Sequence, residues 1–159
     1  MARKKRVSPL PEHFGTVSAR LVVHEAAKAL DFYKRAFGAR ELRKRFLGPK
    51  GEVIDAAIKI GDTALMVTED TGDDAPAFSP KSAGGKVTTI LATYWPNVDR
   101  AWARALKAGA EVVFPLGDQF YGERGGRLRD PFGQQWMMSQ RIELVSHAEM
   151  VKRAKQLYG

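Results

Sequence analysis

The residues able to do chemistry in this chain are few and scattered. His13, His24 and His147 are its three imidazoles, and it has no cysteine. Without cysteine there is no disulfide, no thiolate metal site and no thiol nucleophile. A metal site gathers imidazoles and carboxylates on one face. Here His13 lies near the amino end, His24 follows an apolar strand and His147 opens the last helix, a spacing that favours solvated or capping histidines. No G-x-S-x-G marks a nucleophilic serine, and no serine stands out as one part of a triad. The run YGERGG at 121–126 has glycines but not the strand-turn-helix setting of a phosphate loop, so Gly125 and Gly126 are expected in a tight turn.

The elements that position side chains are easier to read. VSARLVV at 17–23 reads as a strand, and EAAKALDFYKRAF at 25–37 as a helix, with Ala26, Leu30, Tyr33 and Phe37 on one face and Gly38 as its stop. Segments 40–46, 53–60 and 64–68 read as strands, and 69–86 as a long loop of turn formers. The order then repeats: strand 87–94, helix 98–108 stopped at Gly109, and strands 111–114, 126–129 and 135–139. An offset of 71 carries Gly38 to Gly109, Ala39 to Ala110 and Met66 to Met137. Asp130-Pro131-Phe132-Gly133 is turn chemistry leading into the final strand. Ser146 and Glu149 have capping-box spacing at the start of a terminal helix, 146–159. The expectation is an α+β domain over 17–145, built from two βαβββ modules (17–68 and 87–140) that form a cupped mixed sheet with helices outside. A polar arm, 1–16, precedes it.

The repeated unit, together with ALDFYKRAFGA in the first half and DQFYGERGGRLRDPFGQQW in the second, resembles the glyoxalase/bleomycin-resistance/dioxygenase superfamily, the vicinal oxygen chelate fold. The helix ending in FYKRAFGA, the DQFYGxR loop and the DPFGxxW turn are similar to its PhnB-like branch. The resemblance implies a homodimer with a ligand cavity inside each cup. It also implies where metal-using members keep their ligands, on the first and fourth strands of each half. Those places correspond here to Ser18, Met66, Thr89 and Met137. None is the imidazole or carboxylate that Zn²⁺, Ni²⁺, Fe²⁺ or Mn²⁺ prefers, so no cofactor is expected.

If Ser18 faces the cup, strand alternation brings Arg20 and Val22 with it; Met66 brings Ala64 and Thr68, Thr89 brings Leu91 and Thr93, and Met137 brings Gln135 and Ser139. Asp55 falls on the same side of its strand, with Ile54, Ala56, Ile58 and Ile60 opposite. Arg20 then either binds an anionic ligand or pairs with Asp55. Phe120, Tyr121 and Arg124 serve either as a stacking rim at the cavity mouth or as loop and dimer packing.

The net charge is +8, with four positive charges at Arg3, Lys4, Lys5 and Arg6. A basic arm without an accompanying basic, aromatic surface gives no basis for nucleic-acid binding. No apolar run approaches the length of a membrane span, and no leader segment is visible, which points to the cytoplasm. The functional expectation is a metal-free protein that binds a small organic molecule in the cup, sequestering a drug or metabolite. The alternative is a superfamily enzyme of lyase, isomerase or dioxygenase type, using a metal or the pair Arg20 and Asp55.

Overall fold

In the first module β1 (Arg20–Val23) leads into α1 (Ala26–Phe37), followed by β2 (Arg40–Glu41), β3 (Phe46–Leu47), β4 (Val53–Ile60) and β5 (Thr63–Glu69). The structure, a computed structural model, describes residues 7–72 and 74–159. The basic cluster at 3–6 lies outside the described residues. The second module runs β6 (Ile90–Tyr94), α2 (Val98–Ala108), β7 (Glu111–Asp118), β8 (Glu123–Arg129) and β9 (Gln135–Arg141), and α3 (His147–Tyr158) closes the chain. Each module keeps its own mixed sheet, in the orders β1-β5-β4-β2, with β3 also on β4, and β6-β9-β8-β7. The β1–β5 and β6–β9 pairs are parallel and the others antiparallel.

Both module helices end where glycine takes a left-handed conformation, Gly38 at φ 67° and Gly109 at φ 115°. Asn97 caps α2 by accepting from the Arg100 amide at 2.9 Å. Glu25, at the same point of α1, gives no side-chain cap; the Glu69 carboxylate of β5 accepts from the Glu25 and Ala26 amides at 2.7 and 2.8 Å. That carboxylate also complements the positive end of the helix dipole. The expected cap of α3 is present, with Ser146 Oγ accepting from the Glu149 amide.

Several expected strands change length. The single strand expected over 40–46 is two short pieces, because Arg43 and Arg45 turn to carboxylates: Arg43 to Asp55 at 2.6 Å and Arg45 to Glu41 at 2.8 Å. Burial and these hydrogen bonds compete at Glu41, and the bond from Arg45 dominates, lowering its pKa to about 2. β1 starts at Arg20 and β6 at Ile90, each three residues later than expected, while β7 runs on through Pro115 to Asp118 as an edge strand. In β4 a bulge opposite Phe46 and Leu47 turns Ile54 outward and sends Val53 into the core instead. Gly125 and Gly126 are not in a turn; they lie inside β8. A Cβ on Gly126 would stand 2.7 Å from the Trp102 ring and 2.9 Å from the β7 backbone, so the missing side chain is what lets α2 lie down on the sheet.

One buried knot joins the modules. Asp130 accepts from Tyr33 Oη at 3.0 Å and Trp136 Nε1 at 2.9 Å through one oxygen, and from the Phe132 and Gln134 amides through the other. Tyr33 and Phe37 of the first module pack on Trp136 of the second, at centroid distances of 5.5 and 4.5 Å. Burial drives the Asp130 carboxyl up to about 6, outweighing the four donors that favour its anion. Alongside the knot α1 packs on α2, and Arg104 of α2 donates to the Ala36 carbonyl at 2.8 Å while lying over Trp95.

Candidate functional site

The register shows which side chains share the concave faces. Arg20 pairs with Met66 and Val22 with Thr68, while Leu21 and Val67 are buried beneath the helices. Arg20, Met66 and Asp55 thus share the concave face of the first sheet. In the second sheet Ala92 pairs with Met137, and Leu91 and Thr93 pair with the buried Trp136 and Met138. Ile90, Ala92 and Tyr94 therefore face the concave side with Gln135, Met137 and Ser139. This corrects Thr93: it faces the helix side, where its hydroxyl donates to the Met137 carbonyl and accepts from Trp95 Nε1. Thr89 lies one residue before β6, so Ile90 falls at the register position that Ser18 holds in the first module. The reason is helix length. α1 has 12 residues and α2 has 11, so the offset of 71 holds after the helices and becomes 72 before them.

Ser18, Met66, Met137 and Thr89, or Ile90 in its place, offer neither imidazole nor carboxylate at the positions where the superfamily resemblance puts a metal. Among the described residues no group of three histidine, aspartate or glutamate side chains could hold an ion. The donor set does not fit a Zn²⁺-type or Mn²⁺-type centre.

Arg20 and Asp55 do meet, and they are already engaged. Arg20 Nη2 donates to the Ile54 carbonyl at 2.9 Å and lies 3.6 Å from Asp55, which takes its shorter bond from Arg43. Thr68 adds a second donor to the Ile54 carbonyl at 2.8 Å. Ionic partners thus close the centre of the first face from within.

A hollow opens between the free edges of the two sheets. It has a volume of about 790 Å³ and runs from Ala19–Val22 on one side to Val87–Leu91 on the other. Leu21, Val22, Phe78 and Leu91 give it apolar walls; Arg20, Lys86 and Thr89 place polar groups at its rim. Gln134 bridges its base, donating to the Val22 carbonyl at 3.2 Å. Of the residues expected in the cavity, Arg20 and Thr89 come together here; Ser18, Asp55, Met66, Thr93, Gln135 and Met137 are not part of its wall.

One wall is braced by a cluster the sequence did not reveal. Asp70, nearly buried, accepts from the Ser79 amide at 2.7 Å, Ser82 Oγ at 2.8 Å and the Gly72 amide at 3.0 Å. Burial alone would raise this carboxyl, but these hydrogen bonds, led by Ser79, hold it well below the usual range. His24 Nε2 lies 3.2 Å from Ser82 Oγ and 3.6 Å from Asp70. The residue types are those of a hydrolase triad, yet the wiring is not. Ser82 gives its proton directly to Asp70, and one imidazole nitrogen faces both partners, so no base stands between nucleophile and acid. The cluster pins the loop after β5 against β1.

The residues expected at the rim lie elsewhere. Phe120 stacks edge-on with Tyr121 and with Tyr158 of α3. Arg124 is drawn to Asp99 of α2 at 2.8 Å and Asp118 at 2.9 Å, which raises its pKa further. These are packing contacts, and none of the three borders the hollow.

A sequence profile described as Glyoxalase/Bleomycin resistance protein/Dioxygenase superfamily matches residues 12–138. An uncharacterized protein of Mycobacterium tuberculosis (strain ATCC 25618 / H37Rv) is 41% identical over 136 residues, 84% of this chain and 79% of that one. Among solved structures, TioX from Micromonospora sp. ML1 is 26% identical with a TM-score of 0.63, covering 80% of this chain and all of that one. The PhnB protein of Bacillus cereus, 19% identical, shares the fold with a TM-score of 0.58 over 79% of this chain and 99% of its own.

Proposed function

The chain belongs to the Glyoxalase/Bleomycin resistance protein/Dioxygenase superfamily, and we propose that within it this is a PhnB-like protein that binds a small organic molecule without a metal. The observation that carries the reading is the hollow of about 790 Å³ between the sheet edges, which falls in the size range of small-molecule sites. Its apolar walls suit a hydrocarbon or aromatic body, and Arg20, Lys86 and Thr89 suit a polar substituent. The donor set at the superfamily's metal positions supports a role that needs no ion. An enzyme built on Arg20 and Asp55 has less support, because each group is already satisfied within the protein. The same proposal places the protein in the cytoplasm as a homodimer. No helix of the described residues is long and apolar enough to cross a membrane. Phe46, Ile54, Ile90, Tyr94 and Phe114 are more than a third exposed on strands of the two sheets, apolar surface that a second copy would cover.

The test is a fluorescence titration with the neutral apolar probe N-phenyl-1-naphthylamine. Saturable enhancement is expected, unchanged by EDTA and lost in Thr88→Trp, which fills the hollow from its rim. Enhancement that requires an added divalent metal, or that survives Thr88→Trp unchanged, overturns the reading. Sedimentation velocity at micromolar concentration gives the oligomeric state, a dimer being expected.

A further inference from the structure

The charged side chains that border the hollow between the sheet edges have one sign. Arg20 and Lys86 line it, and among the described residues no carboxylate does. The acids of the adjoining strands are turned elsewhere. Glu69 caps α1 through the Glu25 and Ala26 amides, and Asp70 is buried under hydrogen bonds from Ser79, Ser82 and Gly72. Asp55 stands between Arg20, at 3.6 Å, and Arg43, at 2.6 Å, so one carboxylate meets two guanidiniums and a positive charge is left over. The lysine ion pairs among the described residues are those of Lys28, Lys34 and Lys152; Lys86, exposed at the rim, has none.

A lone surface lysine is ordinarily just solvated. Lys86 differs in how its backbone is placed. The Gly84 amide donates to the Lys81 carbonyl at 3.2 Å, the Gly85 amide to the Pro80 carbonyl at 2.7 Å and the Lys86 amide to the Ala83 carbonyl at 3.4 Å. This closure sets Gly84 and Gly85 in succession at φ 67° and 84°, where a side chain would be strained. Asp70 fixes the start of the turn at Ser79 and Ser82. Pro80 lies so close to Gly133 that a Cβ there would stand 2.8 Å from its ring. The turn is therefore held before any ligand arrives, and a charge on a preorganised support costs less ordering to engage. Beside it Phe78 is 61% exposed, and Val22 and Leu91 continue the apolar wall.

We propose that this hollow selects an organic anion, a molecule with an apolar body for Val22, Phe78 and Leu91 and one carboxylate, sulfonate or phosphate group held at the rim by Lys86 in the field of Arg20. The inference rests on the reading of the hollow as the ligand site and adds the sign of the ligand's charge. An ammonium facing an oxyanion forms charge-assisted hydrogen bonds, whereas a cationic ligand would meet two like charges with no carboxylate in the wall to offset them.

The test compares two fluorescent probes that share one body, N-phenyl-1-naphthylamine and its sulfonate, 8-anilinonaphthalene-1-sulfonate. The sulfonate should bind about tenfold more tightly, the size of a partly screened ion pair. Lys86→Gln should remove most of this ratio of dissociation constants, and Arg20→Gln a smaller part. Lys107→Gln removes the same charge from the last turn of α2, outside the hollow, and should leave the ratio intact, which separates the local site from the overall positive charge. Both probes should lose saturable binding in Thr88→Trp, and melting temperatures confirm that each variant is folded. Equal affinities for the two probes overturn the inference and leave the neutral ligand site standing. A ratio unchanged by Lys86→Gln, or lowered as much by Lys107→Gln, also overturns it, as does sulfonate binding that survives Thr88→Trp. Failure of both probes to bind overturns the ligand site and the inference together.

Discussion

The two sheets have the same connectivity and pair their charges differently. On the concave face of the first, Arg20 is bound to the Ile54 carbonyl and faces Asp55, which Arg43 also holds. On the face of the second, Arg127 and Ser139 each keep a buried polar atom without a partner among the described residues. A βαβββ unit fixes where side chains point but not whether their charges are answered. In the first module Asp55 and the bulge at Ile54 answer the arginine. In the second, Gly125 leaves the space beside Ser139 without a side chain, and no carboxylate among the described residues answers Arg127 as Asp55 answers Arg20.

The comparison breaks most severely if the two halves are disconnected. Asp130→Asn puts an amide NH₂ against donors, Tyr33 Oη and Trp136 Nε1 or the two backbone amides. A loss of about 2–4 kcal/mol in urea unfolding is expected, with reduced cooperativity between the halves. An unchanged midpoint would mean that the modules do not depend on the knot.

Next in size is Gly126→Val, which sets a branched side chain against Trp102 and the β7 backbone. A loss of about 1–3 kcal/mol is expected, confined to the second module as read by hydrogen exchange. Equal loss of protection in both sheets would remove the distinction between them.

A third effect comes from acid. The Asp130 carboxyl is raised from its usual 3.8 to about 6, so the folded protein holds this proton more tightly than the unfolded chain. Its contribution to stability is full below about 3.8 and is lost as the pH climbs through about 6. Lowering the pH from 7 to 5 should therefore add about 1 kcal/mol. Thermal melts across this range check it, and Asp130→Asn should flatten the slope.

The fold was legible because both halves carry unambiguous helix stops at Gly38 and Gly109 and a strong apolar face around Tyr33 and Phe37. The concave face of the first sheet was legible for the same reason: Leu21, Val23, Leu65 and Val67 mark the buried side clearly. The second sheet was less so. The one-residue difference between α1 and α2 shifts β6, and ILATY is too evenly apolar to betray it. Arg127 gave no signal, because an arginine inside GGRLR reads as a solvent-facing strand residue until its neighbours across the sheet are known. The Asp70–Ser82–His24 cluster joins residues 58 apart in sequence, and only the path of the loop brings them together.

The two faces are separated most directly by nuclear magnetic resonance of the arginine Nε–H groups, assigned from Arg20→Met and Arg127→Met. Adding N-phenyl-1-naphthylamine should move the Arg20 signal in a saturable way, because Arg20 borders the hollow, and leave Arg127 where it is. A shift at Arg127 with none at Arg20 would contradict the account.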